Sequence, residues 1–265
     1  MNRKTTLFSF ATALLLGSMP GVALAQVPAP AKGPDKEIAE KIATLRACVQ
    51  DKKFARDEEG RAIIDALWQK MSAGVDEKDQ LAITKALEDV LILGVKVRPS
   101  DNKVLYTAAA AALGYCGAEG AKVLKTQYGN KRFPDRKEWV PLREQFLKSI
   151  GKTKDESMVA FLCSEAQNHE PALQAAAGEA LGNFEESKDT VRKEIVSRLL
   201  IIWGSLAEKA SQMGSGNMEA QTASDTLAAI SDKWNTTLAK LTKQNFRKHA
   251  DWQAWNNKNK NLPWQ

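Results

Sequence analysis

The chain has 265 residues, 43% of them hydrophobic, and 38 Lys and Arg against 32 Asp and Glu for a formal net charge of +6. That content suffices for one elongated or compact domain with a real core. The charge excess is mild and spread over many residues, unlike the basic patch or stripe of a nucleic-acid reader. Three cysteines with no C-x-x-C pair exclude a closed disulfide framework.

The first 26 residues, "MNRKTTLFSFATALLLGSMPGVALAQ", carry Arg3 and Lys4, an apolar run from Leu7 to Leu16, a Pro20-Gly21 break and a small-x-small end at Ala23-Leu24-Ala25. This is the grammar of a secretory signal peptide over residues 1–25, with cleavage between Ala25 and Gln26. The run is shorter than the ~20 residues a membrane span needs. Cleavage would remove two positive charges and no acid. No later stretch is long and apolar enough to cross a bilayer, so the expected product is an exported soluble protein of the periplasm, cell envelope or medium. Residues 26–34, "QVPAPAKGP", read as a Pro-rich tether.

From Asp35 onward the pattern is helical, with segments expected at 35–50, 60–72 and 77–93. The one strand-like run, "VLILGVKV" at 90–97, reads as a helix end stopped at Gly94 with a loop before Pro99. Further on, "LYTAAAAALG" (105–114), "LREQFLKSIG" (142–151) and "LQAAAGEALG" (173–182) align without a gap. Each has apolar residues at i, i+4 and i+8, for example Leu105, Ala109 and Leu113, which share one helix face. Each closes on glycine (Gly114, Gly151, Gly182), the residue suited to a left-handed position just past a helix end. A short turn and a second amphipathic segment follow each time: "AEGAKVLKTQY", "DESMVAFLCSEA" and "SKDTVRKEIVSRLL". Copies spaced by about 31 and 37 residues have the period of a two-helix repeat, in which small side chains let stacked hairpins approach closely.

Residues 211–221, "SQMGSGNMEAQ", read as a linker, followed by a helix around 222–241 and a tail, "LTKQNFRKHADWQAWNNKNKNLPWQ", holding Trp252, Trp255 and Trp264. Residues 222–265 are expected to cap the last repeat, since a solenoid's terminal unit needs a cover. The tail's alternative use is as a binding surface, with Trp252, Trp255, Lys258 and Lys260 as candidate partner-contact residues. Cys48, Cys116 and Cys163 are expected to be small buried hydrophobes, with a Cys116–Cys163 bridge as the alternative.

"YTAAAAALGYCGAEGAKVLKTQY" and "ALQAAAGEALGNFEESKDTVRKEIV" resemble HEAT repeats of the short A-x-x-A-L-G kind found in bacterial proteins, most clearly over 103–205. The tail is similar to one in secreted bacterial HEAT-repeat proteins, with Lys243 where that pattern has glycine and Asn256 where it has a second tryptophan. The resemblance implies an all-α fold: HEAT-like hairpins over 35–210 stacked as a right-handed α-solenoid, with a C-terminal helical cap. HEAT motifs specify architecture rather than activity.

Signals for chemistry are sparse. There are two histidines, and G-x-S-x-G, H-E-x-x-H, P-loop and G-x-G-x-x-G patterns are missing. His169-Glu170 is similar to the His-Glu pairs of the di-iron HEAT enzyme deoxyhypusine hydroxylase, but it stands alone. Glu170-Pro171 is better read as a helix start. The expectation is therefore no catalytic, cofactor or metal residue, and a non-enzymatic exported scaffold that binds a protein partner, not nucleic acid, on a face including Val123, Met158 and Lys193. The alternatives are a HEAT-fold lyase or metal-dependent enzyme of the envelope, and a module gripping anionic polymer through the basic, Trp-rich tail.

Overall fold

The computed structural model describes residues 35–94, 96–212 and 217–264. The signal-like segment with Ala25 and Gln26, and the Pro-rich tether, lie outside them. The described residues are all-α: eleven α-helices and three short 3-10 turns, with no strand.

Three helices precede the alanine-rich one: α1 (Lys36–Gln50), α2 (Asp57–Ala73) and α3 (Glu77–Ile92). Asp35 caps α1 by accepting from the Glu37 amide at 2.8 Å, and Asp76 caps α3 through the Asp79 amide at 2.8 Å. The strand-like run at 90–97 is indeed a helix end: α3 stops before Leu93, and Gly94 takes φ +111°. Then come α4 (Val104–Leu113), α5 (Gly117–Tyr128), α6 (Val140–Lys152), α7 (Val159–Glu165) and α8 (Pro171–Leu181). The chain finishes with α9 (Asp189–Ser211), α10 (Met218–Thr242) and α11 (His249–Asn259). Two helical ends occupy much of the expected 211–221 linker, whose residues 213–216 lie outside the described set.

The packing order follows the hairpin alternation. Helices α2, α4, α6, α8 and α10 each pack on the next, and α1, α3, α5, α7 and α9 pair with members of that row. Apolar side chains from both sets form one buried cluster, including Leu67, Tyr106, Phe146, Leu181 and Trp234. Burying a side chain of that size stabilises by roughly 1.5–3 kcal/mol, which is where the stack gets its cohesion.

The repeat glycines act differently from the expectation. Gly114 and Gly182 have φ −59° and −66°, and Gly151 lies inside α6, so none is left-handed. Their role is close approach. A Cβ on Gly114 would lie 3.1 Å from the Ser149 carbonyl oxygen, one on Gly151 2.4 Å from that of Ala180, and one on Gly182 3.0 Å from Thr237 Oγ1. Each glycine therefore faces the next helix of the row at a small residue. Ser149 and Ala180 stand two places before the next glycine, which explains why that position is small.

Two further contacts extend the pattern. A Cβ on Gly178 would meet Trp234 Nε1 at 1.9 Å, so the buried indole fills the space that the missing side chain leaves. Thr237 Oγ1 donates to the Gly178 carbonyl at 2.9 Å. Together they dock α10 on α8.

All three cysteines are free and buried, so there is no Cys116–Cys163 bridge. Burial pushes the Cys163 thiol up to about 11 and raises Cys48 and Cys116 as well, which keeps them protonated at neutral pH.

Candidate functional site: a groove between α8, α9 and α10

The residues singled out in the tail do not share one environment. Trp252 has 0% exposure, meets the Phe246 ring edge-on at 4.9 Å and donates from Nε1 to Asn235 Oδ1 at 2.7 Å. It is part of the buried apolar cluster and presents nothing to a partner. Trp255 is half-buried against Trp264, with ring centroids 5.1 Å apart. Lys258 and Lys260 are exposed.

The end of the tail is tied to the start of α9. The Trp264 amide donates to Asp189 Oδ2 at 2.7 Å, Arg192 Nη2 donates to the Trp264 carbonyl at 3.3 Å, and Lys193 Nζ donates to the Leu262 carbonyl at 2.6 Å. The amide of Trp264 and the Arg192 guanidinium hold the Asp189 carboxyl below its ordinary range. Of the expected face, Lys193 is thus engaged by the tail, Met158 is buried, and Val123 packs partly into the core.

An open groove of about 650 Å³ lies elsewhere, lined by the C-terminal half of α9, the beginning of α10, α8 and the α7–α8 connection. It is lined by Ile201, Ile202 and Leu206 from α9, Met218, Ala223 and Thr226 from α10, and Gln174 from α8. Ile201 is 68% exposed and Met218 82%, while Gln174 is only 4% exposed. No protein-family model and no curated protein matches the chain.

The groove exists because α9 is apolar on more than one side. "LLII" at 199–202 cannot turn four consecutive side chains inward: Leu199 and Leu200 are buried, Ile202 is partly so, and Ile201 is left outside. Sequence reading passed over this run, although four adjacent apolar residues on a helix always leave one facing away from the core. The charges around the groove are internally matched. Lys209 Nζ meets Glu219 Oε1 at 2.9 Å, and Arg198 Nε donates to Glu194 Oε1 at 3.1 Å.

A second recess is lined by Lys125, Tyr128, Phe161, Glu165 and Arg143. There the Tyr128 hydroxyl donates to Glu165, and the Arg143 guanidinium lies 4.0 Å from the Tyr128 ring centroid. Burial, then the neighbouring Glu165, raise the phenol well above its ordinary value. It is a hydrogen-bond donor that holds its proton rather than a base.

His169 is exposed, 3.9 Å from Asp135 Oδ2. Glu170 caps α8 by accepting from the Ala172 amide at 3.5 Å, with Pro171 in the first turn, as the helix-start reading expects. Among the described residues no three His, Cys, Asp or Glu side chains converge as a metal site would require.

Proposed function

We propose that this protein is an exported, non-enzymatic scaffold whose HEAT-like hairpins stack as a right-handed α-solenoid, and that it binds a protein partner through the groove between α8, α9 and α10. The observation that carries this reading is the groove itself: an apolar strip with Ile201 and Met218 held at the surface, rimmed by polar and mutually paired groups. Interface cores have that anatomy, and exposed apolar side chains clustered at a recess mark interaction sites more often than isolated ones do. The stacking reading is supported by the glycine contacts from α4 to α6, α6 to α8 and α8 to α10. The export reading is supported by the signal-like first 25 residues.

The test is affinity capture from envelope extract with tagged protein beginning at Gln26, run beside an Ile201→Glu, Met218→Glu double variant of unchanged circular dichroism. A defined protein recovered by the native sequence and lost by the variant is the expected result. Equal recovery by both would remove the groove from the reading. A tightly bound metal or small molecule in place of a partner would favour the enzyme alternative.

A further inference from the structure

The recess beside Tyr128 holds a guanidinium that the fold uses only in part. Arg143, on α6, is 7% exposed, and its Nη1 donates to the Tyr128 carbonyl at 2.9 Å and to the Phe133 carbonyl at 3.2 Å. Those bonds pin the loop between α5 and α6. Nε is sealed in without a hydrogen bond, with Asp135 Oδ1 3.6 Å away. Nη2 makes no hydrogen bond among the described residues either, but it is not sealed, so its N–H groups stay accessible at the recess that Arg143 lines. A guanidinium buried this deeply is costly to leave short of acceptors, and an anion at Nη2 would supply one.

We infer that this recess binds a small apolar carboxylic acid, its carboxylate held by Arg143 Nη2, Lys125 and Lys131 and its body lying beside Phe161 and Pro134. Three observations select that ligand. The first is unpaired positive charge: among the described residues neither lysine has a carboxylate partner, and Lys125 Nζ lies instead over the Phe161 ring, 5.3 Å from its centroid. In the α8–α9–α10 groove, by contrast, Lys209 and Arg198 are both paired. The second is the charge balance. Lys125, Lys131 and Arg143 face Asp135 and Glu165 across the recess, which leaves an excess of one positive charge, the complement of a monoanion. Glu165 already accepts from the Tyr128 hydroxyl and from Asn168 Nδ2 at 2.8 Å, and it would repel the second charge of a phosphate dianion. The third is size and lining: about 610 Å³ with Phe133, Pro134 and Phe161 in its wall suits a small molecule with an apolar body. No residue lines both this recess and the groove, so the inference stands apart from the scaffold reading.

The experiment is isothermal titration calorimetry of the full mature chain with phenylacetate and octanoate as aromatic and aliphatic probes, beside phenylacetamide, acetate and inorganic phosphate. At least one of the two apolar acids is expected to bind. Removing the charge, as in phenylacetamide, should cost phenylacetate about tenfold in affinity, and removing the apolar body, as in acetate, a similar factor. A Lys125→Gln, Lys131→Gln double variant should weaken the bound acid by about tenfold while leaving the neutral amide unchanged, the coupling expected of a direct charge contact. Both lysines are exposed, so their loss leaves the fold intact, whereas Arg143 is kept because its Nη1 bonds hold the loop. Circular dichroism of the variant checks this, and the probe series itself uses the unaltered protein.

Equal affinity for phenylacetate and its amide would overturn the inference, because the charge would then play no part. So would failure of both apolar acids to bind, or an acid affinity indifferent to the lysine variant, which would place the ligand elsewhere. Inorganic phosphate binding more tightly than either acid would mark a phosphate site and overturn the choice of a monocarboxylate. None of these outcomes touches Ile201 or Met218, so the scaffold reading stands or falls by its own test.

Discussion

The first three helices, with the loop that leads into α4, and the row from α4 to α10 are held together by different contacts. Around α1 to α3 the alanine-glycine pattern is missing, and long polar side chains bridge the elements. Arg98, in the loop before α4, has a fully buried side chain that donates from Nε and Nη2 to Asp57 at 2.8 and 2.7 Å and from Nη2 to the Cys48 carbonyl at 3.3 Å. The Tyr106 hydroxyl accepts from the Arg98 amide at 3.1 Å, and Arg46 Nη2 meets Asp89 Oδ2 at 2.9 Å. From α4 to α10 glycines against small residues and an indole are added, beside buried arginines such as Arg143, which donates to the Tyr128 carbonyl at 2.9 Å. The lesson is that the repeat pattern marks where backbones touch, and that where it lapses a buried ion pair fixes the loop that close packing cannot.

The comparison breaks most sharply at Arg98. Arg98→Met strands Asp57 in the interior and should lower unfolding free energy by about 3–5 kcal/mol, as measured by urea titration. Adding Asp57→Leu should restore much of the loss, because a pair replaced by apolar groups no longer leaves a buried charge alone. A double variant no better than the single one would show that the pair is not the locking element.

In the second region, Gly178→Ala should cost roughly 3 kcal/mol through the clash with Trp234, and Gly151→Ala about 1–3 kcal/mol against the Ala180 carbonyl. Trp234→Leu in the Gly178→Ala background should cost less than the two single changes added together, since the indole is what the new methyl strikes. Strict additivity in thermal melts would count against close approach as the role of Gly178.

A smaller effect is expected where the tail meets α9. The folded-state pKa of Asp189 is lowered, so its contribution is present above the ordinary carboxylate range and is lost as pH falls through the lowered value. Acid titration of tryptophan fluorescence should show a step below that ordinary range as Trp264 leaves Trp255. Asp189→Asn should lack the step.

The smallest change concerns Lys243, which caps α10 at φ +58°, a left-handed position that glycine occupies with less strain. Lys243→Gly should raise stability by less than about 1 kcal/mol. A loss would mean that the 3.3 Å contact of Lys243 with Glu185 outweighs the backbone strain.

Much of this architecture was legible in the residues. The in-register copies at 105, 142 and 173 announced helices that α4, α6 and α8 supply, and Glu170-Pro171 announced the start of α8. Element type was readable because apolar spacing and capping are local properties of a few consecutive residues. The candidate groove was much less legible. "LLII" at 199–202 hinted at an outward apolar residue, but nothing in one stretch of chain says that Gln174 and Ile202 line one groove, or that Lys209 meets Glu219 across a hairpin.

By itself the sequence determined the helical class, where most helices lie and the small residues on α4 and α8, since each follows from side-chain size and spacing along one segment. Tertiary structure alone decided that the repeat glycines serve contact rather than chain reversal. It also turned Trp252 inward while leaving Lys258 and Lys260 outside. Those outcomes depend on which surfaces of separate helices meet, and that is set by packing among residues tens of positions apart.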